Sequence, residues 1–394
     1  MKRYISIALI LSIYCVKAQV DTFPYIANHT DDIKALTFSP DGKYVLSGGW
    51  DNTLTIQYND SVGTVAQRIK GYSGAINSIA MSRDGKKLIS GGQNGKLLIH
   101  YFESEYFELA TLDTSLSLSN SQINKLVYGP GMRAIFSAND DGKLIMYDIV
   151  KQEARPIQGN RPITAMAVAI DRMSYFVAYE GSPDIFQIDI FGKLLKTYTG
   201  HSNDITDLEV SIDRKTLISS SRDKTIKVWN IAQAKATYTF IEHSWAVTDI
   251  DIDAFGKFLV SGALDGNVHI YNLTDGSLLQ QIHLENYKIN AIALSPDNTQ
   301  IVAAAHLTSP ADSTGYFVLP SGLKAIKVAV AKPINIEEIR HNYKQRLKVK
   351  SKLQQDKASE KKKENAPAPK KNKKKAEVPK TLKEQVKITI NDNE

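Results

Sequence analysis

One phrase recurs seven times in this chain and limits its fold more than any other property: a short apolar run, a tight turn, a second run, another turn, a third run. The first turn reads SPDGK (Ser39–Lys43), SRDGK (Ser82–Lys86), GPGMR (Gly129–Arg133), IDRMS (Ile170–Ser174), SIDRK (Ser211–Lys215), DAFGK (Asp253–Lys257) and SPDNT (Ser295–Thr299). The last residues of these phrases lie 43, 47, 41, 41, 42 and 42 apart. A fixed period of this size marks a repeat architecture, in which each copy buries its apolar face only against its neighbours. The copies read as antiparallel strands. LTIQYN (Leu54–Asn59) alternates apolar and polar residues, and Asp-Gly supplies the positive φ that tight hairpin turns need.

A second turn follows each second strand, as in GGWDNT (Gly48–Thr53), GGQNGK (Gly91–Lys96) and SSRDKT (Ser220–Thr225). A third strand comes next (TIKVWN, Thr225–Asn230), then a fourth (TYTFIEH, Thr237–His243). With Gly200–Asn230, GHSNDITDLEVSIDRKTLISSSRDKTIKVWN, the sequence resembles the WD40 family of β-propellers. The resemblance covers Thr22 to about Pro320. It implies an all-β, seven-bladed WD40-like propeller over residues 22–320, closed by pairing the N-terminal strand Thr22–Ala27 with the last three-strand set, which ends at Thr314–Leu319. Closure removes two sheet edges. The resemblance also implies a buried hydrogen-bond chain of His201, Ser219, Asp223 and Trp229. Other copies depart from it: Gln57 and Tyr271 stand in the Trp place, the second copy has Tyr72, Ser90, Asn94 and His100, and the fourth and seventh lack the turn Asp.

Fold alone does not settle function. His29, His201 and His243 fall at the repeat's structural position. The sequence has no HExxH, GxSxG, phosphate loop or metal-ligand spacing, so neither a catalytic residue nor a metal or other cofactor is expected. The competing reading is a secreted hydrolase or lactonase-like enzyme with a site at the central channel. Binding is better supported. Trp50 lies in a second turn and Trp245 just after His243, where the repeat needs no aromatic. In propellers of this family these two loop types share one face. Trp and Arg dominate interface energetics, so Trp50, Arg222, Trp245 and Leu264 form the expected partner-binding set, with Gln93, Asp31 and Asp140 beside them.

The two ends read differently. Lys2 and Arg3, the apolar run Ile5–Val16 and a small residue at Ala18 form a signal peptide over residues 1–18, cleaved between Ala18 and Gln19. The chain's one cysteine, Cys15, falls inside it; Tyr14, a large residue just before it, weighs against a lipoprotein site. Net charge is +7, but residues 324–394 hold 21 Lys and Arg against 9 Asp and Glu, and residues 1–323 hold 28 against 33. An acidic body therefore carries a basic tail. Residues 321–363 form a linker and an amphipathic helix (Asn335 as cap; Ile336, Ile339, Tyr343 and Leu347 on one face), and residues 364–394 a disordered Lys-rich tail with a strand-like end, LKEQVKITI. The expected product is exported, to a periplasm or cell envelope or into the medium. It has no transmembrane helix, captures a protein partner on the propeller face, and meets an anionic envelope surface through the tail; export argues against a nucleic-acid partner.

Overall fold

Strands of five to eight residues separated by turns can satisfy their backbone only by pairing, and here each pairs with its sequence neighbours. The computed structural model describes residues 25–59, 64–102, 110–129, 132–157, 159, 161–169, 174–307 and 314–320. These belong to the compact unit Met1–Val328; the second unit, Ala329–Glu394, lies outside the described residues. So do the leader, the cleavage site Ala18–Gln19, the amphipathic helix and the basic tail.

The first strand among the described residues is β1 (Tyr25–His29). One sheet follows, of β2 (Ile33–Phe38), β3 (Tyr44–Gly49), β4 (Leu54–Tyr58) and β5 (Val65–Ile69). The next holds β6 (Ile76–Met81), β7 (Lys87–Gly92), β8 (Lys96–Phe102) and β9 (Ala110–Ser117). Then come β10 (Ile123–Tyr128), β11 (Ala134–Asn139), β12 (Leu144–Asp148) and β13 (Glu153–Ile157). A fourth sheet has β14 (Ile163–Val168), β15 (Ser174–Tyr179), β16 (Ile185–Asp189) and β17 (Leu194–Tyr198). A fifth has β18 (Ile205–Val210), β19 (Thr216–Ser221), β20 (Ile226–Asn230) and β21 (Lys235–Phe240). A sixth has β22 (Val247–Ile252), β23 (Phe258–Ala263), β24 (Asn267–Asn272) and β25 (Ser277–His283). The last joins β26 (Tyr287–Leu294), β27 (Gln300–Leu307) and β28 (Thr314–Pro320) to β1. The result is an all-β propeller with no α-helix among the described residues.

The strand expected over 22–27 is observed as Tyr25–His29, paired antiparallel with β28 from Tyr25↔Phe317 to His29↔Thr314. First strands of neighbouring sheets pack side by side: β2 on β6, β6 on β10, β10 on β14, β14 on β18, β18 on β22, β22 on β26, and β26 on β2. The turns work as their sequences promise. Ser39, Ser82, Ser211 and Ser295 each donate to the Asp two residues on, at 2.6 to 2.7 Å. Gly42 and Gly85 hold φ near +70°; in the two turns lacking Gly, Arg214 and Asn298 take the left-handed conformation themselves.

Two repeat rules emerge that the phrase itself does not announce. Six of the first strands open on a buried β-branched residue (Ile33, Ile76, Ile123, Ile163, Ile205, Val247), β26 carries Ile289 two residues in, and each register shifts just after that residue. The bulge frees the next side chain to reach the neighbouring sheet. Asn77 Nδ2 donates to the Ile123 carbonyl at 3.0 Å, Asn124 Nδ2 to Ile163 at 2.9 Å, Thr206 Oγ1 to Val247 at 2.7 Å and Thr248 Oγ1 to Ile289 at 2.9 Å. The second rule concerns the second strands, which carry a small residue at one register: Gly48, Gly91, Ala138, Ala178, Ser220, Gly262 or Ala304. A Cβ on Gly48 would lie 2.6 Å from Ile76, and one on Gly262 2.5 Å from Ile289. The smallness admits the lead residue of the next sheet, so each core cluster is shared between sheets. One such cluster joins Ile218, Val228 and Phe240 to Val247, Ile250 and Tyr271.

Candidate partner-binding face

Up-and-down pairing puts the second turns and the connections between sheets at the same end of the molecule, and one backbone bond repeats there. The first residue of the turn donates its N–H to the residue just before the first strand: Trp50 to Asp32, Gln93 to Ala75, Asp140 to Gln122, Glu180 to Pro162, Arg222 to Asp204 and Leu264 to Ala246, all at 2.8 to 3.0 Å. This bond makes six side chains equivalent members of one rim. Five of them are sequence-derived candidates. The sixth, Glu180, escaped because its turn lacks the Asp by which the others were aligned.

Trp50 is 47% exposed and Trp245 57%. Trp50 leans over the inner rim, its Nε1 donating to Asn77 Oδ1 at 3.3 Å and the Lys34 ammonium sitting 4.8 Å from its ring centroid. These contacts fix its rotamer yet leave half its surface in water. Asp31, Gln93 and Asp140 are exposed, and Leu264 is half-buried. Arg222 lies 3.6 Å from Asp204 with most of its side chain in solvent. The two tryptophans stand on the sheets that flank the one containing β26, so the structure gives them one face without joining them in a patch. Between them, His306 Nδ1 lies 2.8 Å from Asp32 Oδ1 across the sheet junction.

Beneath this rim lie the buried polar chains. His201 Nδ1 donates to Asp223 at 2.8 Å, Ser219 Oγ meets His201 Nε2 at 2.8 Å, and Trp229 Nε1 donates to Ser219 Oγ at 2.8 Å. Asp223 also takes the Ser202 amide and the Thr225 hydroxyl. Burial opposes its charge, but these donors prevail and hold the carboxyl well below its usual range. The same arrangement recurs at His29–Ser47–Asp51 and His243–Ser261–Asp265, and Tyr72 reaches Ser90 at 2.8 Å. Asp51 is likewise opposed by burial and held by His29, Thr53 and Thr30, which lower it to about 2. In two of the three sheets that lack this chain, the register position of the Ser holds the fully buried Val177 or Ala303; in the third it keeps Ser137, which takes Asn139 Nδ2 at 3.2 Å. At Val177 and Ala303 apolar packing replaces the polar chain.

Charge also gathers inside the ring of first strands. Lys125 on β10 reaches past β14, whose Ala165 and Ala167 are small, to Asp207 on β18 at 2.6 Å. Glu209 follows on β18, and Asp249 and Asp251 stand on β22. In the sequence Asp249 and Asp251 read only as the polar half of an alternating strand; the missed signal was charge two and four residues after the lead Ile or Val, where β2, β14 and β26 carry Ala or Thr. Asp249 and Asp251 each spend an oxygen on a β26 amide, Ile292 and Leu294, both at 2.8 Å. Among the described residues, no group of three or more His, Cys, Asp or Glu is placed to hold a metal ion.

Comparison with known proteins agrees with the fold. The WD40 family (WD domain, G-beta repeat) matches residues 19–56, 63–100, 192–230 and 234–272. These are the four copies that carry a His or Tyr, a Ser, and a turn Asp or Asn together, so the chain contains WD40 repeats. Mitochondrial division protein 1 of Schizosaccharomyces pombe is 38% identical over 77 residues, covering 18% of this chain and 12% of that protein. Human WD repeat-containing protein 18 is 33% identical over 86 residues, 18% of this chain and 19% of that protein. The chain thus spans less than a fifth of the length of either of these relatives. The family model and the second of these relatives are both described as WD-repeat proteins. No helix among the described residues is long and apolar enough to cross a membrane.

Proposed function

We propose that this protein is an exported seven-bladed scaffold, each four-stranded sheet one blade and β1 closing the ring, that captures a protein partner on the face bearing Trp50 and Trp245. The observation that carries this reading is that two large aromatics stand about half in water on the face where the repeat places its variable rim, although neither is needed to close a turn or fill the core. Arg222, Gln93, Leu264, Asp31 and Asp140, with Glu180, surround them, and a mixed polar rim around aromatic anchors is how protein interfaces are built. WD40 propellers are typically interaction scaffolds, which supports the same reading. Residues 1–18 serve as the export leader, delivering the protein to a periplasm or envelope. The Lys-rich segment after residue 321 tethers it to anionic lipid or polymer by counterion release.

The test is affinity capture from the source organism's envelope fraction with wild type, the double variant Trp50→Ala/Trp245→Ala, and a chain ending at Gly322. Hot-spot truncations cost about 2 kcal/mol or more each, so the double variant should lose at least ~100-fold in affinity while melting within a few degrees of wild type. Partners retained at full strength by a folded double variant would overturn the face. Unchanged membrane association of the shortened chain would overturn the tether.

A further inference from the structure

Four carboxyls stand inside the ring, on β18 and β22: Asp207, Glu209, Asp249 and Asp251. The charge of Lys125 acts on all four. The groups facing them from β14 and β26 are Ala165, Ala167, Ala291 and Ala293, which carry no charge. One ammonium against four carboxylates leaves a deficit that the hydrogen bonds locate. Asp207 Oδ1 takes Lys125 Nζ at 2.6 Å, but Asp207 Oδ2 is buried and receives no N–H or O–H from another residue. The group within hydrogen-bonding reach of Asp207 is the Asp249 carboxyl, whose own Oδ2 accepts the Ile292 amide. Two carboxylates cannot hydrogen-bond each other, whereas a carboxylic acid and a carboxylate can.

We infer that Asp249 is protonated at neutral pH and donates to the buried Asp207 Oδ2, and that this pair, with Lys125 on its other side, is a pH-sensitive clasp holding β18, β22 and β26 together. Proton loss would place two like charges at the seam between neighbouring sheets, one of them on the residue that also holds the Ile292 amide. The surroundings favour the proton. Burial and Asp207 push Asp249 well above the usual carboxylate range. Burial raises Glu209 to about 8 and Asp251 to about 6. These groups bind more protons folded than unfolded, so stability declines as pH rises through their folded values.

The experiment is urea unfolding of the full chain at intervals from pH 5 to 9, on wild type, Asp249→Asn and Lys125→Met, with infrared detection of a protonated carboxyl at pH 7. In wild type the folding constant should fall as pH rises, by up to about tenfold per pH unit for each extra proton the folded state holds. Asp249→Asn keeps both bonds, its amide donating to Asp207 and its carbonyl accepting from Ile292, with no proton to lose. It should flatten the slope, be the more stable protein at pH 9, and lack one protonated-carboxyl band. Lys125→Met should steepen the decline. A wild type flat from pH 6 to 9, or Asp249→Asn running parallel to it with the infrared band unchanged, would overturn the clasp.

Discussion

Ser219→Ala tests the buried polar chain at its most economical point. Asp223 accepts the proton on His201 Nδ1, which leaves Nε2 as an acceptor for the Ser219 hydroxyl; that same oxygen accepts from Trp229 Nε1. Removing one hydroxyl therefore strands a donor and an acceptor at once, both beneath side chains with almost no solvent access. At ~1–3 kcal/mol for each unsatisfied group, the loss should be about 2–5 kcal/mol. The methyl left behind occupies nearly the same space, so little of this is cavity. Urea unfolding monitored by tryptophan fluorescence and by far-UV circular dichroism gives the number, and for a domain of this size ~2 °C of melting temperature accompanies each kcal/mol. The decisive comparison is a double-mutant cycle with Trp229→Phe, which removes the stranded N–H beforehand. Ser219→Ala should then cost ~1–2 kcal/mol less than in wild type. A loss under about 0.5 kcal/mol in the single variant, or zero coupling in the cycle, would refute the assignment of these bonds.

Asp51, held at about 2 against an ordinary value near 3.8, binds fewer protons folded than unfolded. It contributes stability above pH 4 that disappears as pH falls toward 2, about 2 kcal/mol in all; Asp51→Asn should remove that part of the acid transition. His269, buried against the His243 ring at 4.0 Å, is pushed down to about 3 by burial. Its contribution is present above pH 6.5 and lost as pH falls from there to 3, so His269→Phe should flatten stability between pH 6 and 4. Gly262→Val should cost ~1–3 kcal/mol by overpacking Ile289, whereas Gly71→Ala, which meets nothing within 4 Å, costs only the strain of its positive φ, about 1 kcal/mol. Thermal melts of the two variants side by side decide it.

The repeat period, the turn chemistry and the alternation made the strand architecture legible, because each is a local rule that seven copies state again. The His–Ser–Asp–Trp residues could be named because the resemblance to the WD40 family implies them, at a spacing of 18, 4 and 6 residues that the strand lengths allow. The face of Trp50 and Arg222 could be named because in the WD40 family, which the sequence resembles, these turns share one face. Chain position did not reveal that Trp50 leans between Lys34 and Asn77, that Glu180 belongs to the same rim, or that Trp50 and Trp245 are held a sheet apart. Nor did it reveal that Lys125 passes over two alanines to meet Asp207, 82 residues away. A repeat specifies each sheet and its contact with the next. What meets across the inside of the ring depends on where the seven copies stand once they are closed, and only the tertiary structure sets four carboxyls around one ammonium there.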